Sequence, residues 1–530
     1  MKNIQIEIVD ADVLILGSGI AGLMAALEIA KKGKSSLVVS KAPIGKSNNT
    51  YLSGGYFGFA PEQKDMNAHI QKTMTGGREI NNERFVRRFV EEAPGMVDDL
   101  LKKGLQGIIR DNGLLCIGET SMGGPAFMNF LTGCCNIPAI RVMENITATD
   151  LITDGSTCYG AVGHHKRSGK IFAFRANAVL MTTGGAGSIY SKNDNAPGAT
   201  GDGYFLGMAA GLQALDMEFV QFYPLAYAGS GRSRMIVPPP FADLGKIQNR
   251  RGEDIKEKYS LFKKPVAIVS RDALSRALFN EIREGNDVDG ALLLDMTQVD
   301  EKKITSHPKT LATLRKKFSF DKTPIRIIPA CHHTMGGLVV EETCRTQVEN
   351  LFAAGEIVGG IHGANRIGGN ALTEAMVFGA IAGRSAAAAG RAVSLPDFKV
   401  LAQKIADKRF QPIYAGNTAL AAVDSLSDEL KRVLWEDAGI IRSDASLKNA
   451  LARIEDITLA VTAMGSKDPW VILKIIECGF AALTGRAVAL AALARTESRG
   501  SHYREDFPAE DPAWKKHIHM VMKDGRPEIV

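Results

Sequence analysis

Residues 11–22 read Ala11-Asp12-Val13-Leu14-Ile15-Leu16-Gly17-Ser18-Gly19-Ile20-Ala21-Gly22, and this stretch decides the fold. Its first half predicts a short buried strand. A glycine turn follows at once, and then the helical spacing of Leu23, Ala26, Leu27 and Ala30. Strand, tight turn and helix are the context that gives a G-x-G-x-x-G stretch meaning. Gly17 permits the turn, Gly19 lets a pyrophosphate approach the backbone, and Gly22 lets the helix pack against the sheet. The free N–H groups of the first helical turn, at Ile20 and Ala21, then face negative phosphates. Gly33 ends the helix, and residues 36–39 predict the second strand. At its end, where a dinucleotide site usually carries Asp or Glu, stand Ser40 and Lys41; the Ser40 hydroxyl can still make a hydrogen bond. The alternative is a tight turn in some other parallel sheet.

Further glycine loops recur along the chain. Residues 47–60 include Gly54 and Gly55, which have no side chains to hinder a ligand. A buried strand at 176–182 runs into Gly184-Gly185-Ala186-Gly187, and Thr200-Gly201-Asp202-Gly203 is suited to cap a helix at 204–211. Two glycine turns after two strands suggest one ligand gripped by several loops of one sheet. Residues 64–110 read as mostly helical and surface-exposed. Residues 226–265, with Pro238-Pro239-Pro240, read as rigid loop. A helix at 270–283 and a strand at 292–296 follow. A second nucleotide-like passage comes later: a strand ending at Gly355-Glu356, the loop 359–370, and an alanine-rich helix at 371–389 with Gly379 and Gly383 for close packing. From about residue 400 the pattern is helical, with Gly439, Gly465 and Gly485 as expected interhelical turns.

The chain has 530 residues, 45% hydrophobic and 23% charged, which is ordinary for a folded protein and excludes wholesale disorder, collagen and coiled coil. The formal charge of +6 is a weak bias that suits an anionic ligand but does not argue for nucleic acid. The seven cysteines include no CxxC or CxxxC spacing, so neither a disulfide scaffold nor an iron–sulfur motif is expected, and Cys134-Cys135 reads as ordinary thiols. No metal site is expected. The first ten residues carry charges where a signal peptide needs its apolar core. The apolar run near 485–494 is broken by Arg486 and is short of about 20 residues, so no transmembrane helix is expected. A cytoplasmic setting follows, on the inner face of a membrane if a partner holds the chain there.

Several segments in order carry a family resemblance: DVLILGSGIAG, ATGDGYFLGMAAG, DMEFVQFYP, SRDALSRAL, HTMGG, LFAAGEIVGGIHGANRIGGNAL and ESRGSHYREDFP. Over nearly its full length the chain resembles the flavoprotein subunits of succinate dehydrogenase and fumarate reductase, and also L-aspartate oxidase. The resemblance implies an α/β fold. A glutathione-reductase-type FAD-binding domain would occupy residues 1–225 and 346–396. An inserted α+β capping domain would occupy 226–345, and a C-terminal helical domain with its tail 397–530. It implies FAD contacts at Gly17, Gly19, Gly22, Lys41, Ser47, Gly54, Gly55, Asp202, Glu356 and Asn370, with Leu372 near the ring. Asp202 and Glu356 have turn stabilisation as their alternative role. Asn48 stands where respiratory members carry the histidine that attaches FAD covalently. An amide offers no such nucleophile, so noncovalent FAD is expected.

Reducing an activated C=C bond needs a hydride donor, a proton donor and groups that hold and polarise a carboxylate. The resemblance assigns the shuttling acid to Arg271 and the carboxylate clamp to Arg366, whose fork suits a bidentate contact. It adds His332 as a substrate contact, with His333 as its structural neighbour and His362 near the flavin carbonyl. Helix-face pairing is the plainer role of Arg271, and a satisfied loop polar group that of His362. Tyr223 replaces a histidine that touches substrate in the family. Met235-Ile236-Val237-Pro238-Pro239 replaces a Thr-Glu-Gly segment that holds the far carboxylate. Either Arg232 or Arg234 compensates, or the substrate has a single carboxylate or acyl group and a larger apolar or aromatic remainder.

The expected function is therefore an FAD-dependent oxidoreductase acting on the CH–CH group of a carboxylate or acyl substrate. Electrons would pass through a separate iron–sulfur partner, or through quinone or oxygen. L-aspartate oxidation is one alternative. A noncatalytic FAD-carrying electron-transfer subunit is the other, and it becomes the better reading if Arg271, His332 and Arg366 fail to converge.

Overall fold

The strand expected at 11–16 is the end of a longer one, Ile6–Leu16, which turns at Gly17 (φ 118°) into the helix Ile20–Lys31. The computed structural model describes residues 4–110, 112–119, 121–229, 235–305, 308–389 and 397–530. Val13 to Leu16 are buried on both faces, as an unbroken apolar run in a parallel sheet should be. The strand pairs in parallel with Ser36–Ser40 on one side and Ile171–Met181 on the other. Ser36–Ser40 pairs in turn with Ile140–Glu144. The far edge of Ile171–Met181 is divided. Its first half pairs antiparallel with Cys158–His165, and its last residues pair in parallel with Leu351–Ala353. The chain thus leaves this sheet after Met181 and returns at Leu351, with the capping unit between. Helix Asn370–Ala388 lies against Ile20–Lys31. A Cβ on Gly379 or Gly383 would stand 2.4 or 2.5 Å from the carbonyl oxygens of Ala21 and Ala25, so both glycines serve the close packing expected of them.

The capping unit has an antiparallel sheet of its own, in the order Val220–Tyr227, Ile325–Thr334, Leu292–Asp295 and Lys246–Gln248. Helix Arg271–Arg283 packs on it. A separate apolar core including Tyr223, Phe241, Leu278, Phe320 and Ile327 holds it together. Residues 226–265 are not loop throughout, because they contribute the strand Lys246–Gln248 and the short helices Phe241–Leu244 and Ile255–Lys258. The prolines stay outside these strands and helices; Pro240 stands at the entry to Phe241–Leu244. Helix Glu83–Lys102 is not merely a surface element either, since its period places Phe85, Phe89 and Val97 in the core.

The C-terminal part contains the helices Phe398–Tyr414, Leu420–Asp437, Asp444–Thr462 and Pro469–Ala494. Gly439 and Gly465 fall between helices, but Gly485 lies inside the last one, where a Cβ would come within 2.9 Å of Leu434 Cδ1. That glycine serves contact, not a turn. The same helix corrects the length reading: at 26 residues it is long and apolar enough to cross a membrane. Yet 78% of its most apolar window is buried inside the protein, against Leu420–Asp437 and Asp444–Thr462. After Ala494 the only helical piece of the tail, among the described residues, is one short 3-10 turn, Pro512–Trp514. His519–Lys523 and Arg526–Ile529 form a hairpin that joins a small sheet with Ala214–Leu215 and Gly337–Leu338.

A buried ionic network ties the tail segment to the turn just before the capping strand Val220–Tyr227. Arg495 Nε donates to Glu218 at 2.6 Å and its Nη1 to Glu497 at 3.1 Å, and all three side chains are fully buried. Arg499 closes the network on Glu497 at 2.7 Å. Burial pushes the Glu218 carboxyl up to about 7, against the pull of Arg495. The cysteines are free thiols, Cys134 half-buried and the others buried.

Candidate active site

A cavity of about 1010 Å³ lies between the main sheet and the capping unit. Its floor is made of backbone. A Cβ on Gly17 would lie 2.2 Å from the carbonyl oxygen of Thr182, and one on Gly22 2.2 Å from that of Gly17. Gly17 therefore allows the turn and Gly22 the helix contact, as the motif requires. Gly54 and Gly184 differ: a Cβ on either would meet nothing within 4 Å, and both line the cavity. Gly184 also has a φ of 77°, which favours glycine in any case, while at Gly54 the missing side chain leaves the backbone open to a ligand. Gly19, Ile20 and Ala21 complete the floor at the helix start, and Gly55 and Ser47 line the next loop.

Polar side chains ring this floor. Ser40 and Ser18 share a hydrogen bond of 2.8 Å. Lys41 Nζ forms an ion pair with Asp202, donates to Thr200 Oγ1 at 3.0 Å, and reaches Glu477 of the C-terminal helix at 3.3 Å. Asp202 is the first residue of the helix Asp202–Ala209. Asn48 caps the short helix Asn49–Leu52, its Oδ1 accepting from Tyr51 N at 2.9 Å. Glu356 accepts from Asn49 Nδ2 at 3.1 Å and from Thr334 N at 3.2 Å, and burial raises its pKa. Asn370 begins the helix Asn370–Ala388, with its Oδ1 2.9 Å from His69 Nε2. Leu372 is part of the wall. The volume, the glycine cradle with open space above Gly54 and Gly184, and the helix start at Ile20 fit FAD.

The roof supplies the reacting groups. Arg271 Nη1 donates to Gln221 Oε1 at 2.6 Å, and Arg366 Nη2 donates to the same oxygen at 3.0 Å. The two guanidinium groups expected from distant parts of the sequence therefore converge. Both are buried, and the Nε of each has no partner. Burial, and then Arg271, pulls the Arg366 guanidinium down to about 9. Burial likewise lowers the pKa of Arg271. His332 Nδ1 is 2.7 Å from Asp194 Oδ2, which leaves Nε2 for the cavity, and burial lowers its pKa against the pull of Asp194. Asp272 accepts from Asn365 Nδ2 at 2.6 Å, and burial lifts its carboxyl to about 6.

Two assigned residues stand differently from expectation. Tyr223 lines the cavity, but its hydroxyl donates to the carbonyl of Val237 at 2.7 Å, so the residue presents its ring. His362 lies behind the wall. Its ring is 5.3 Å from that of His333, and its Nε2 is 3.9 Å from Glu374. Burial drives the His362 pKa down to about 3, while burial and Glu356 push Glu374 up to about 8. Arg232 and Arg234, named as compensating cations, lie outside the described residues. Sequence reading missed Gln221, Asp194 and His69. Gln221 had a signal: it is two residues before Tyr223 on one strand, and residues two apart face the same side. Asp194 and His69 had none.

Comparison with known proteins agrees with this architecture. A model of the FAD binding domain matches residues 12–124 and 115–372, and one of the fumarate reductase flavoprotein C-terminus matches residues 427–529. A fumarate reductase (CoM/CoB) polypeptide of Methanothermobacter marburgensis is 33% identical over 552 residues, covering 99% of each chain. An L-aspartate oxidase of Nicotiana tabacum is 29% identical over 94% of this chain and 82% of its own. The E. coli quinol fumarate reductase structure superimposes with a TM-score of 0.86 at 27% identity, covering 99% of this chain and 97% of that one. The chain belongs to the flavoprotein family of fumarate reductases and succinate dehydrogenases. It is an FAD-dependent oxidoreductase acting on a CH–CH bond.

Proposed function

We propose that this enzyme interconverts a 2-enoate and its saturated carboxylate, with Arg366 and His332 holding the carboxylate and Arg271 carrying the proton. The observation that carries this reading is the meeting of Arg271 and Arg366 at one oxygen of Gln221, in the wall of the cavity whose floor is the glycine cradle. FAD held on the glycine cradle would, when reduced, supply the hydride. Saturating the double bond also takes one proton at the other carbon. A guanidinium in water does not release one, but burial lowers the pKa of Arg271, and Asp272 is its chain neighbour. Arg366 and His332 polarise the carboxylate and fix the alkene relative to Arg271. Arg271 and Arg366 are themselves buried, which strengthens their pull on a bound carboxylate.

Gly17, Gly19, Gly54, Gly55 and Gly184 would hold FAD by backbone approach, with Ser40, Lys41, Ser47, Asn48, Asp202, Glu356 and Asn370 around it. Asn48 in a capping role supports noncovalent attachment. Several relatives are named as subunits, two of them as flavoprotein subunits, and this supports a role within a complex that includes an iron–sulfur electron carrier. Association with a membrane, if any, would run through that partner. Native purification should then bring down a second polypeptide with an iron–sulfur EPR signal.

Arg271→Lys tests the mechanism. The variant should retain FAD and lose turnover of 2-enoates by at least about 10²-fold, the scale of acid–base contributions. Normal steady-state turnover would remove Arg271 from the reaction.

A further inference from the structure

The cavity wall is chemically divided. Between Tyr223 and Arg271, the described residues in it are Tyr223, Ile236, Pro239, Ile268 and Arg271. Arg271 is the only charged one, and the Tyr223 hydroxyl is committed to Val237. Ile268 remains 40% exposed although it belongs to the wall, and the adjoining Val269 is 59% exposed. A ligand carrying an apolar group gains by covering such surface, whereas a second carboxylate placed against Ile236, Pro239 and Ile268 would give up water without finding a donor among these described side chains.

The cationic part points the same way. Arg271 and Arg366 are 6% and 8% exposed, and both donate to a single oxygen of a neutral side chain. Two guanidinium nitrogens within 3.0 Å of one oxygen make one cationic point in the wall, where Arg366 takes a single carboxylate and Arg271 stands next to it. Buried cations with unpartnered Nε atoms favour an anion at that point.

We infer that the substrate is a monocarboxylic 2-enoate, or its saturated acid, whose remainder is an alkyl or aryl group. Its carboxylate lies at Arg366 and His332, its alkene lies beside Arg271, and its remainder lies under Ile236, Pro239 and Ile268. This inference rests on the carboxylate chemistry proposed above and adds the class of molecule.

The test uses the FAD-loaded protein in two ways. First, the reduced flavin is mixed anaerobically with trans-2-hexenoate, cinnamate and fumarate, and its reoxidation is followed. Second, the oxidised protein is titrated calorimetrically with hexanoate, 3-phenylpropionate and succinate. At least one monocarboxylate of each set should exceed the dicarboxylate by about tenfold or more, in rate and in affinity. A smaller ratio, or a preference for fumarate and succinate, overturns the inference while leaving the proposed chemistry standing. Reoxidation by none of the enoates overturns both. Ile268→Lys places an ammonium in a half-exposed part of the roof, and should move the rate ratio toward fumarate by about tenfold. An unchanged ratio would show that the roof does not select, and would also overturn the inference.

Discussion

The floor and the roof of the cavity are built by opposite means. The floor is backbone, shaped by side chains that are missing at Gly17, Gly19, Gly54 and Gly184. The roof is side chain, with Arg271, Ile236 and Ile268 carried by a sheet and helices that have their own apolar core. A surface made from missing atoms tolerates no additions where the backbone is already close, as at Gly17, and lets a ligand approach where it is open, as at Gly54. A surface made from projecting atoms can be re-equipped one residue at a time. Within one cavity, the cofactor is thus specified by what the chain omits and the substrate by what it presents.

The sharpest way to break this contrast is Gly17→Ala. The new Cβ would lie 2.2 Å from the Thr182 carbonyl oxygen at a backbone φ of 118°, which costs more than about 3 kcal/mol. Purified variant should lack the flavin absorbance band and melt early; a stable yellow protein would show that the floor has slack. Gln221→Leu acts on the roof alone. Removing the shared acceptor of Arg271 and Arg366 should lower kcat/KM by about tenfold while flavin content stays at the wild-type level. Joint loss of flavin and activity would mean that the two surfaces are not independent.

The smallest effect concerns the support behind both. Glu374 is buried with its carboxyl at about 8, above the ordinary 4.5 of glutamic acid, so its contribution to stability is complete below about pH 4.5 and is lost as pH rises through 8. His362, Glu356 and Cys344 are titratable groups beside it. Glu374→Gln should therefore melt higher than wild type by an amount that grows from pH 5 to pH 9, on the order of a few degrees. A difference that is constant with pH would assign Glu374 a packing role only.

The same contrast explains what the sequence revealed. The glycine floor was legible from Gly17, Gly19 and Gly22, because a tight turn, a close approach and a helix contact each demand that one residue type. Four main-sheet strands, or parts of them, were legible as apolar runs at 11–16, 36–39, 176–182 and before Gly355, while Ile140–Glu144, Ile146–Thr153 and Cys158–His165 were not read. The packing role of Gly379 and Gly383 was legible as small residues in an alanine-rich helix. Gly485 was misjudged because a glycine at a helix–helix contact reads like one at a turn. The roof was legible only through resemblance at Arg271, Arg366 and His332. Nothing local in SRD or HGANR says that two guanidinium groups meet at Gln221, since convergence is a property of the folded chain. Asp194 is 138 residues from the histidine it orients, and the terminal hairpin at 519–529 pairs with Ala214–Leu215; neither long-range partner has a periodic signature.

The Arg495–Glu218 pair carries one more consequence. Glu218 lies three residues before Gln221, and its buried carboxyl is matched by a cation 277 residues further along. Removing that cation would leave the carboxyl without its ion pair beside the strand that aligns the two arginines, so a substitution at Arg495 would be felt at the roof although Arg495 does not line the cavity.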